Sequence, residues 1–87
     1  MDQERIIALL KDFLEREVLR APDSGLRADT PLLEWGVLNS LTMVKLVAFV
    51  KEELDVRIPP ERIVGADFKD LASIARLVDE IAGAAPR

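Results

Sequence analysis

The helical spacing of apolar residues is the feature of this 87-residue chain that most restricts its fold. Over residues 3–19, apolar residues recur at i, i+3, i+4 and i+7, while charged residues lie largely on the other side. This spacing predicts an amphipathic helix that turns one stripe toward a core. The stripe consists of Ile6, Ile7, Leu10, Phe13, Leu14 and Val18.

A second helix is predicted from Ser40 to about Leu54. Asn39 precedes it as a good N-cap, because its side-chain oxygen can accept a backbone N–H of the first turn. The sequence DVRIPP then ends the helix, and residues 56–58 are expected to be extended because Ile58 precedes a proline.

A short helix and a final long helix are predicted for the rest of the chain. The short helix covers residues 61–64, follows a proline that suits the first helical position, and is ended by Gly65. Asp67 and Asp70 resemble a capping box, with Asp in place of the usual Glu or Gln. The final helix covers residues 68–82, where apolar residues again recur at helical spacing.

Residues 20–39 have no helical period, and this connection is longer than most loops in compact domains. Thr30 followed by Pro31 is a helix-start signal, and Gly36 can end a single turn. We therefore expect an ordered loop that is anchored on the core. The side chains predicted to anchor it are Leu32, Leu33 and Trp35.

Together these segments predict an all-α fold. It is a small four-helix bundle with three main helices, a short third helix and a long first loop. Residues 1–87 are expected to form a single domain, with an ordered core at about residues 3–82. A chain of this size buries only about 60–65% of its unfolded surface and is therefore marginally stable.

Composition limits the chemistry that the chain can perform. It contains no His and no Cys, so the usual general base, a thiol nucleophile and the commonest metal ligand are missing. Its carboxylates form neither a calcium-loop nor a paired-carboxylate spacing. We therefore expect a protein that is not an enzyme and has no resident metal.

Charge and hydropathy limit its partners and its location. The net charge of −4 argues against binding to nucleic acid, for which a basic face is expected. The sequence has no apolar run of about 18 residues and no charged-then-apolar leader. We expect a cytoplasmic monomer that binds no membrane.

The second helix carries two apolar stripes. The narrower one, here called the second stripe, consists of Leu41, Val44 and Ala48, with charged residues on its flanks. Either this central helix buries a wide arc between two neighbours, or the second stripe is a solvent-facing docking surface. The hydroxyl of Ser40 at the head of the stripe favours docking. The core-facing stripe consists of Met43, Leu46, Val47, Val50 and Leu54.

Ser40 occupies the first turn of the second helix, where unpaired N–H groups and the positive end of the helix dipole are found. A serine at this position is often only structural. Asn39 already fills the cap, however, which leaves Ser40 little capping work. The same geometry can hold a phosphate diester, so we expect Ser40 to be modified by another enzyme.

The chain resembles the acyl and peptidyl carrier proteins, of the free-standing type, over nearly its whole length. The family's attachment motif is usually Asp-Ser-Leu after a glycine-containing turn, and here Asn39, Ser40 and Leu41 follow Gly36. The loop DTPLLEWGVLNSL, the recognition helix SLTMVKLVAFVKEELDVRI, the short helix PPERIV and the final helix DFKDLASIARLVDEI stand in the family's order. A start at Met1 and a short tail suggest that the carrier is free-standing.

The resemblance implies a carrier for acyl or aminoacyl groups. A phosphopantetheinyl transferase would move 4′-phosphopantetheine from coenzyme A onto the Ser40 Oγ, with magnesium bound in that enzyme. The thiol of this arm would hold the cargo as a thioester while loading, synthase and tailoring enzymes act on it. By position, the resemblance assigns partner binding to Leu41, Val44, Lys45, Ala48, Ile63 and Val64.

Two departures from the family pattern refine this expectation. Asn39 replaces the motif's Asp, so modification is expected to be slower or to need a matched transferase. Lys45 and Lys51 stand where fatty-acid-synthesis carriers usually have acids, which favours a polyketide or nonribosomal peptide pathway. The alternative function is a non-covalent helical interaction module that binds a partner through the second stripe.

Overall fold

The computed structural model describes residues 2–20, 25–63 and 65–84 of the chain. Within these residues the fold is helical and contains no β-strand, so the prediction of a small all-α bundle is confirmed. In chain order the elements are α1 (Gln3–Leu14), a π-helical turn (Glu15–Leu19), α2 (Ser40–Leu54), two 3₁₀ turns (Pro60–Arg62 and Gly65–Asp67) and α3 (Leu71–Ala84).

Helix α1 begins where the sequence predicts. The Asp2 carboxylate accepts a hydrogen bond from the Glu4 N–H at 3.0 Å, which caps the first turn. Glu15–Leu19 extends the helix to its predicted end, but with π geometry, and Arg20 then turns the chain with a φ of 52°. The predicted stripe faces the core: Ile6, Leu10, Phe13 and Leu14 are buried, while Ile7 and Val18 pack against them in part.

The core lies between the three helices. Helix α1 packs against both α3 and α2, and the rings of Phe13 and Phe49 stack with their centroids 4.4 Å apart. Leu46 and Val50 are wholly buried on one side of α2, which leaves the opposite side to solvent. The C-terminal segment contributes Phe68, Leu71, Ile74, Ala75, Leu77 and Val78 to the core.

The connection between α1 and α2 contains an ordered turn over residues 32–36. The Trp35 N–H donates to the Pro31 carbonyl at 3.0 Å. Gly36 ends the turn with a φ of 73°, in the left-handed region that glycine adopts at little cost. The predicted single turn and its glycine end are therefore confirmed.

The side chains that anchor this loop differ from those predicted. Leu32 is wholly buried as predicted, but Leu33 and Trp35 are exposed over 39% and 64% of their surfaces. The N–H groups of Val37 and Leu38 both donate to the Leu32 carbonyl, at 2.9 and 3.2 Å. These bonds bring Val37 and Leu38 into the core in place of the other two. The prediction that Leu33 and Trp35 pin the loop is wrong.

The predicted short third helix is replaced by 3₁₀ turns. The Ile63 N–H donates to the Pro60 carbonyl at 3.1 Å, three residues back, as a 3₁₀ turn requires. Gly65 opens the second turn, although it was predicted to end a helix. Too few residues stand between the proline pair and Gly65 to offset the cost of nucleating an α-helix. The part of the prediction that falls on Val64 lies outside the described residues.

Helix α3 covers Leu71–Ala84 and so starts later than predicted. The Asp70 carboxylate accepts a hydrogen bond from the Ser73 N–H at 2.8 Å and caps the helix. The Asp67 carboxylate lies 3.7 Å from the Arg62 Nε instead. The predicted capping box of Asp67 with Asp70 is wrong, because Arg62 engages the first of these two carboxylates.

Candidate functional site

The first turn of α2 is closed by a complete capping box. The Asn39 Oδ1 accepts hydrogen bonds from the N–H groups of Leu41 and Thr42, at 2.9 and 3.0 Å. The Thr42 hydroxyl accepts a bond from the Asn39 N–H at 2.7 Å and donates to the Val37 carbonyl at 3.2 Å. The predicted N-cap role of Asn39 is confirmed, and Thr42 ties the helix to the preceding loop.

Ser40 is the first residue of α2 and is exposed to solvent. Its hydroxyl makes no hydrogen bond with any residue that the structure describes. The capping box explains this freedom, because Asn39 and Thr42 already engage the N–H groups of the turn. The loop that carries Trp35 does not seal Ser40, since both residues are exposed.

An open groove of about 600 Å³ begins at Ser40 and lies between α2 and the 3₁₀ turns. Leu33 of the loop and Gly65 of the second 3₁₀ turn meet there, since a Cβ added at Gly65 would lie 3.5 Å from the Leu33 Cδ1. Asn39 and Ser40 are its polar lining residues, and no charged residue lines it in the described part of the chain. The apolar lining consists of Leu33, Met43, Val44, Val47 and Ile63.

The second stripe of α2 is exposed. Leu41 and Val44 expose 65% and 67% of their surfaces, and Ala48 is also exposed. A central helix that buries a wide arc is therefore excluded, and the stripe is free to contact another molecule. The core-facing stripe agrees with its prediction: Leu46 and Val50 are buried, while Met43, Val47 and Leu54 are partly buried.

The remaining residues predicted to bind partners lie in three different settings. Lys45 is exposed on α2 beside the second stripe. Ile63 is half-buried and lines the groove, so it lies near Val44 and Val47 of α2. Val64 is not among the described residues.

The two lysines of α2 differ from the arginine of the 3₁₀ segment in their contacts. Lys45 and Lys51 are exposed and form no ion pair with a described residue. The Arg62 guanidinium donates a hydrogen bond to the Glu80 carboxylate at 2.7 Å. This bond, together with the charges of Glu80 and Asp67, raises the pKa of Arg62. Arg62 thus fastens the first 3₁₀ turn to α3, whereas the lysines are available to a partner.

The family model described as "Phosphopantetheine attachment site" matches residues 4–81 of the chain. The chain belongs to this family. It is a carrier protein of the acyl and peptidyl carrier type, as the sequence predicted. Carriers of this family hold a covalently attached 4′-phosphopantetheine and act as tethering modules, not as enzymes. They interact with a phosphopantetheinyl transferase and with the enzymes that act on their cargo.

Nine chains of solved structures also match this carrier. One belongs to a structure titled "Crystal structure of FAD-dependent dehydrogenase", with 35% sequence identity and a TM-score of 0.73. The alignment covers 78% of the carrier and 96% of that chain. A search of curated proteins found no match. None of the described helices of the carrier is long and apolar enough to cross a membrane.

Proposed function

We propose that Ser40 is the residue to which 4′-phosphopantetheine is attached. The observation that carries this proposal is the Ser40 hydroxyl, which is exposed and free of hydrogen bonds to the described residues. It lies inside the matched segment 4–81 and at the first turn of α2, where the helix dipole favours a phosphate. When bound, the group supplies a thiol that can carry an acyl or aminoacyl group as a thioester.

The residues around Ser40 fit such a group. Asn39 holds the start of α2 through its bonds to Leu41 and Thr42, so the backbone that carries the Ser40 hydroxyl has a fixed position. The groove that begins at Ser40 has an apolar lining that can contact uncharged parts of an arm or its cargo. The carrier contributes position and a high effective concentration, and the chemistry belongs to its partners.

The partner-binding surface that we propose combines α2 with the 3₁₀ segment. Its exposed apolar residues can be buried by an enzyme that handles the arm, and Lys45 can select that enzyme by charge. It consists of Leu41, Val44, Lys45, Ala48 and Ile63, with Val64 added by its position in the family.

We assign the carrier to polyketide or nonribosomal peptide biosynthesis in the cytoplasm. The support is the pair of exposed lysines on α2, Lys45 and Lys51, neither of which is paired with a described carboxylate. Enzymes of fatty acid synthesis that read an acidic helix would meet these cations and dock poorly. Enzymes that present carboxylates or neutral polar groups to α2 would dock better.

A flavin-dependent dehydrogenase is the cargo-modifying partner that we propose. The 35%-identical chain comes from a crystal structure titled for such an enzyme. Because 96% of that chain aligns with this helical fold, that chain has no room for a separate flavin-binding domain. A carrier-like chain in a structure titled for a dehydrogenase supports this partnership. The cargo would lose two hydrogens, which the partner's flavin would accept.

One mass measurement tests the attachment site. The protein is incubated with coenzyme A, magnesium and a broad-specificity phosphopantetheinyl transferase, and the intact mass should rise by one phosphopantetheine. Ser40→Ala should abolish the gain, and Ser73→Ala, which alters a buried serine of α3, should preserve it. A gain that persists in Ser40→Ala would place the attachment elsewhere. No gain with several transferases would favour the non-covalent interaction module.

The dehydrogenase proposal has a separate readout. Carrier loaded with a saturated acyl group is mixed with an FAD-dependent acyl dehydrogenase, and flavin bleaching is followed together with the mass of the carrier. The acyl group on the carrier should lose two hydrogens, and the same acyl group on coenzyme A should react more slowly. Equal rates on the two substrates would contradict a partnership that depends on the carrier.

A further inference from the structure

The large apolar side chains that this carrier exposes stand close to Ser40 in the sequence, and two of them, Leu33 and Val44, line the groove together with it. In the described part of the chain, all of the large apolar side chains that are exposed flank this residue in sequence. Leu33 and Trp35 precede it, and Leu41 and Val44 follow it. Such a concentration of apolar surface marks an interaction site. Two of the four residues lie on the loop, so the site extends beyond α2.

Trp35 is held on an ordered turn. Its N–H donates to the Pro31 carbonyl at 3.0 Å, and the turn is fastened to the core by the wholly buried Leu32. Leu33, in the same turn, lines the groove together with Ser40. Because the backbone is fixed before a partner arrives, burying Trp35 costs little conformational entropy. An exposed tryptophan on an ordered backbone is the kind of residue that dominates binding energy in protein interfaces.

We propose that Trp35 is a docking anchor for the phosphopantetheinyl transferase, which buries it with Leu33, Leu41 and Val44 on reaching Ser40. The inference rests on the proposed attachment at Ser40. An enzyme that brings coenzyme A to the Ser40 Oγ must cover the surface around that atom. A stable interface takes about 800 Å² from each partner, far more than one serine supplies.

The charges around this surface indicate which charges a complementary transferase surface would carry. Lys45 follows Val44 and has no ion pair with a described residue, and exposed Glu34 stands between Leu33 and Trp35. The complementary face is an apolar recess with a carboxylate or neutral polar group opposite Lys45 and a cation opposite Glu34. A second copy of this chain fits less well, because it would cover the serine and carries the same net charge of −4.

Fluorine NMR can observe the anchor directly. The chain contains one tryptophan, so labelling with 5-fluorotryptophan gives one resonance, that of Trp35. The label is placed in Ser40→Ala, which can dock without reacting, and a broad-specificity transferase is added with coenzyme A and magnesium. The resonance should shift or broaden and then saturate. An unchanged resonance, under conditions where calorimetry detects the complex, would overturn the proposal.

Kinetics supply a second and independent test. Trp35→Ala should lower kcat/KM for modification by about tenfold or more, chiefly by raising KM for the carrier. Trp35→Phe should recover most of the loss, and Arg57→Ala, a change at an exposed residue that lies neither in the groove lining nor on the loop turn, should leave kcat/KM nearly unchanged. Wild-type kcat/KM in Trp35→Ala would overturn the anchor and leave the attachment at Ser40 standing.

Two further outcomes separate this inference from the proposed function. If the wild-type protein gains no phosphopantetheine, attachment at Ser40 fails, and the fluorine titration still decides whether the transferase buries Trp35. Sedimentation of the free protein should show a monomer. A dimer that Trp35→Ala dissociates would assign the surface to a second copy and overturn the proposal.

Discussion

The side chains of Asn39 and Thr42 each accept a hydrogen bond from the other residue's backbone N–H, at 3.0 and 2.7 Å. This reciprocal pair closes the first turn of α2 with no contribution from the serine between them. Asn39 thus organises the start of the helix, and the hydroxyl of its neighbour Ser40 is left free. Mutations at Asn39 and Ser40 should therefore separate stability from modification.

Changes at Asn39 test that separation. Asn39→Ala should lower the free energy of unfolding by about 1 kcal/mol, because the N–H groups of Leu41 and Thr42 lose their acceptor. Asn39→Asp should keep the stability, since a carboxylate caps equally well and favours the positive helix end. It also restores the residue usual in the family motif, so the rate of phosphopantetheine transfer should rise.

Urea denaturation and timed mass spectra of Ser40 modification measure the two effects at Asn39. Ser40→Ala serves as the control, and its unfolding midpoint should stay close to wild type. A large loss of stability in Ser40→Ala would show that the serine shares in capping. A transfer rate unchanged by Asn39→Asp would remove Asn39 as the cause of slow modification.

The exposed and buried sides of α2 give a matched pair of substitutions. Val44→Asp should change the free energy of unfolding by less than about 0.5 kcal/mol, because Val44 is two-thirds exposed. It should also slow transfer by the partner enzyme. Leu46→Asp should cost several kcal/mol, since it buries a carboxylate at a site with no exposure. Equal losses of stability in the two variants would place Val44 in the core.

Charge reversal on α2 tests the pathway assignment. Lys45→Glu with Lys51→Glu should leave stability nearly unchanged, because both residues are exposed and unpaired with described residues. The double variant should gain activity with fatty-acid-synthesis partners and lose it with partners that present carboxylates. Competition assays with the two enzyme classes measure this preference. Identical rates before and after the reversal would remove the charge argument.

Local sequence signals predicted the existence of the three long helices and the start of α2. The 3.6-residue period located α1 and both stripes of α2, since it depends only on side-chain direction within one helix. Asn39 was found as the cap, and Gly36 as the end of the loop turn, because each acts within a few residues of itself. Exposure of the free Ser40 hydroxyl agrees with the expectation drawn from the filled cap.

Features that depend on distant contacts could not be read from the sequence. The sequence indicated a capping box of Asp67 with Asp70, whereas in the structure Asp67 pairs with Arg62 and Asp70 alone caps α3. The groove forms where Leu33 meets Gly65, two residues far apart in the chain, so no local pattern reveals it. Hydrophobicity alone suggested burial of Trp35, whereas backbone bonds to Leu32 bring other side chains inward.

The contact between Gln3 and Asp79 should be visible in a pH titration. The Gln3 Nε2 donates to the Asp79 Oδ2 at 3.1 Å, and this bond lowers the pKa of Asp79. A lowered pKa means that the folded state favours the carboxylate form of Asp79. The bond therefore stabilises the fold above about pH 4, and this stabilisation is lost as the pH falls through the pKa of Asp79 in the folded state. Gln3→Ala should raise the pKa of Asp79, measured from its carboxyl carbon by NMR. An unmoved pKa would exclude Gln3 as the cause.

The ion pair of Arg62 with Glu80 should maintain local order in the 3₁₀ turn beside the groove. Both groups are partly exposed, so Arg62→Ala should have little effect on global stability. The first 3₁₀ turn would lose its link to α3, however, and amide exchange at Ile63 should speed up because its bond to Pro60 opens more often.

The control is Arg57→Ala, which removes an exposed arginine without an ion pair to a described residue and should leave the exchange at Ile63 unchanged. Glu80→Gln should reproduce most of the effect of Arg62→Ala, and high salt should reduce the difference between wild type and either variant. Because Ile63 lines the groove, unchanged exchange in Arg62→Ala would mean that this wall is held by core packing and not by the ion pair.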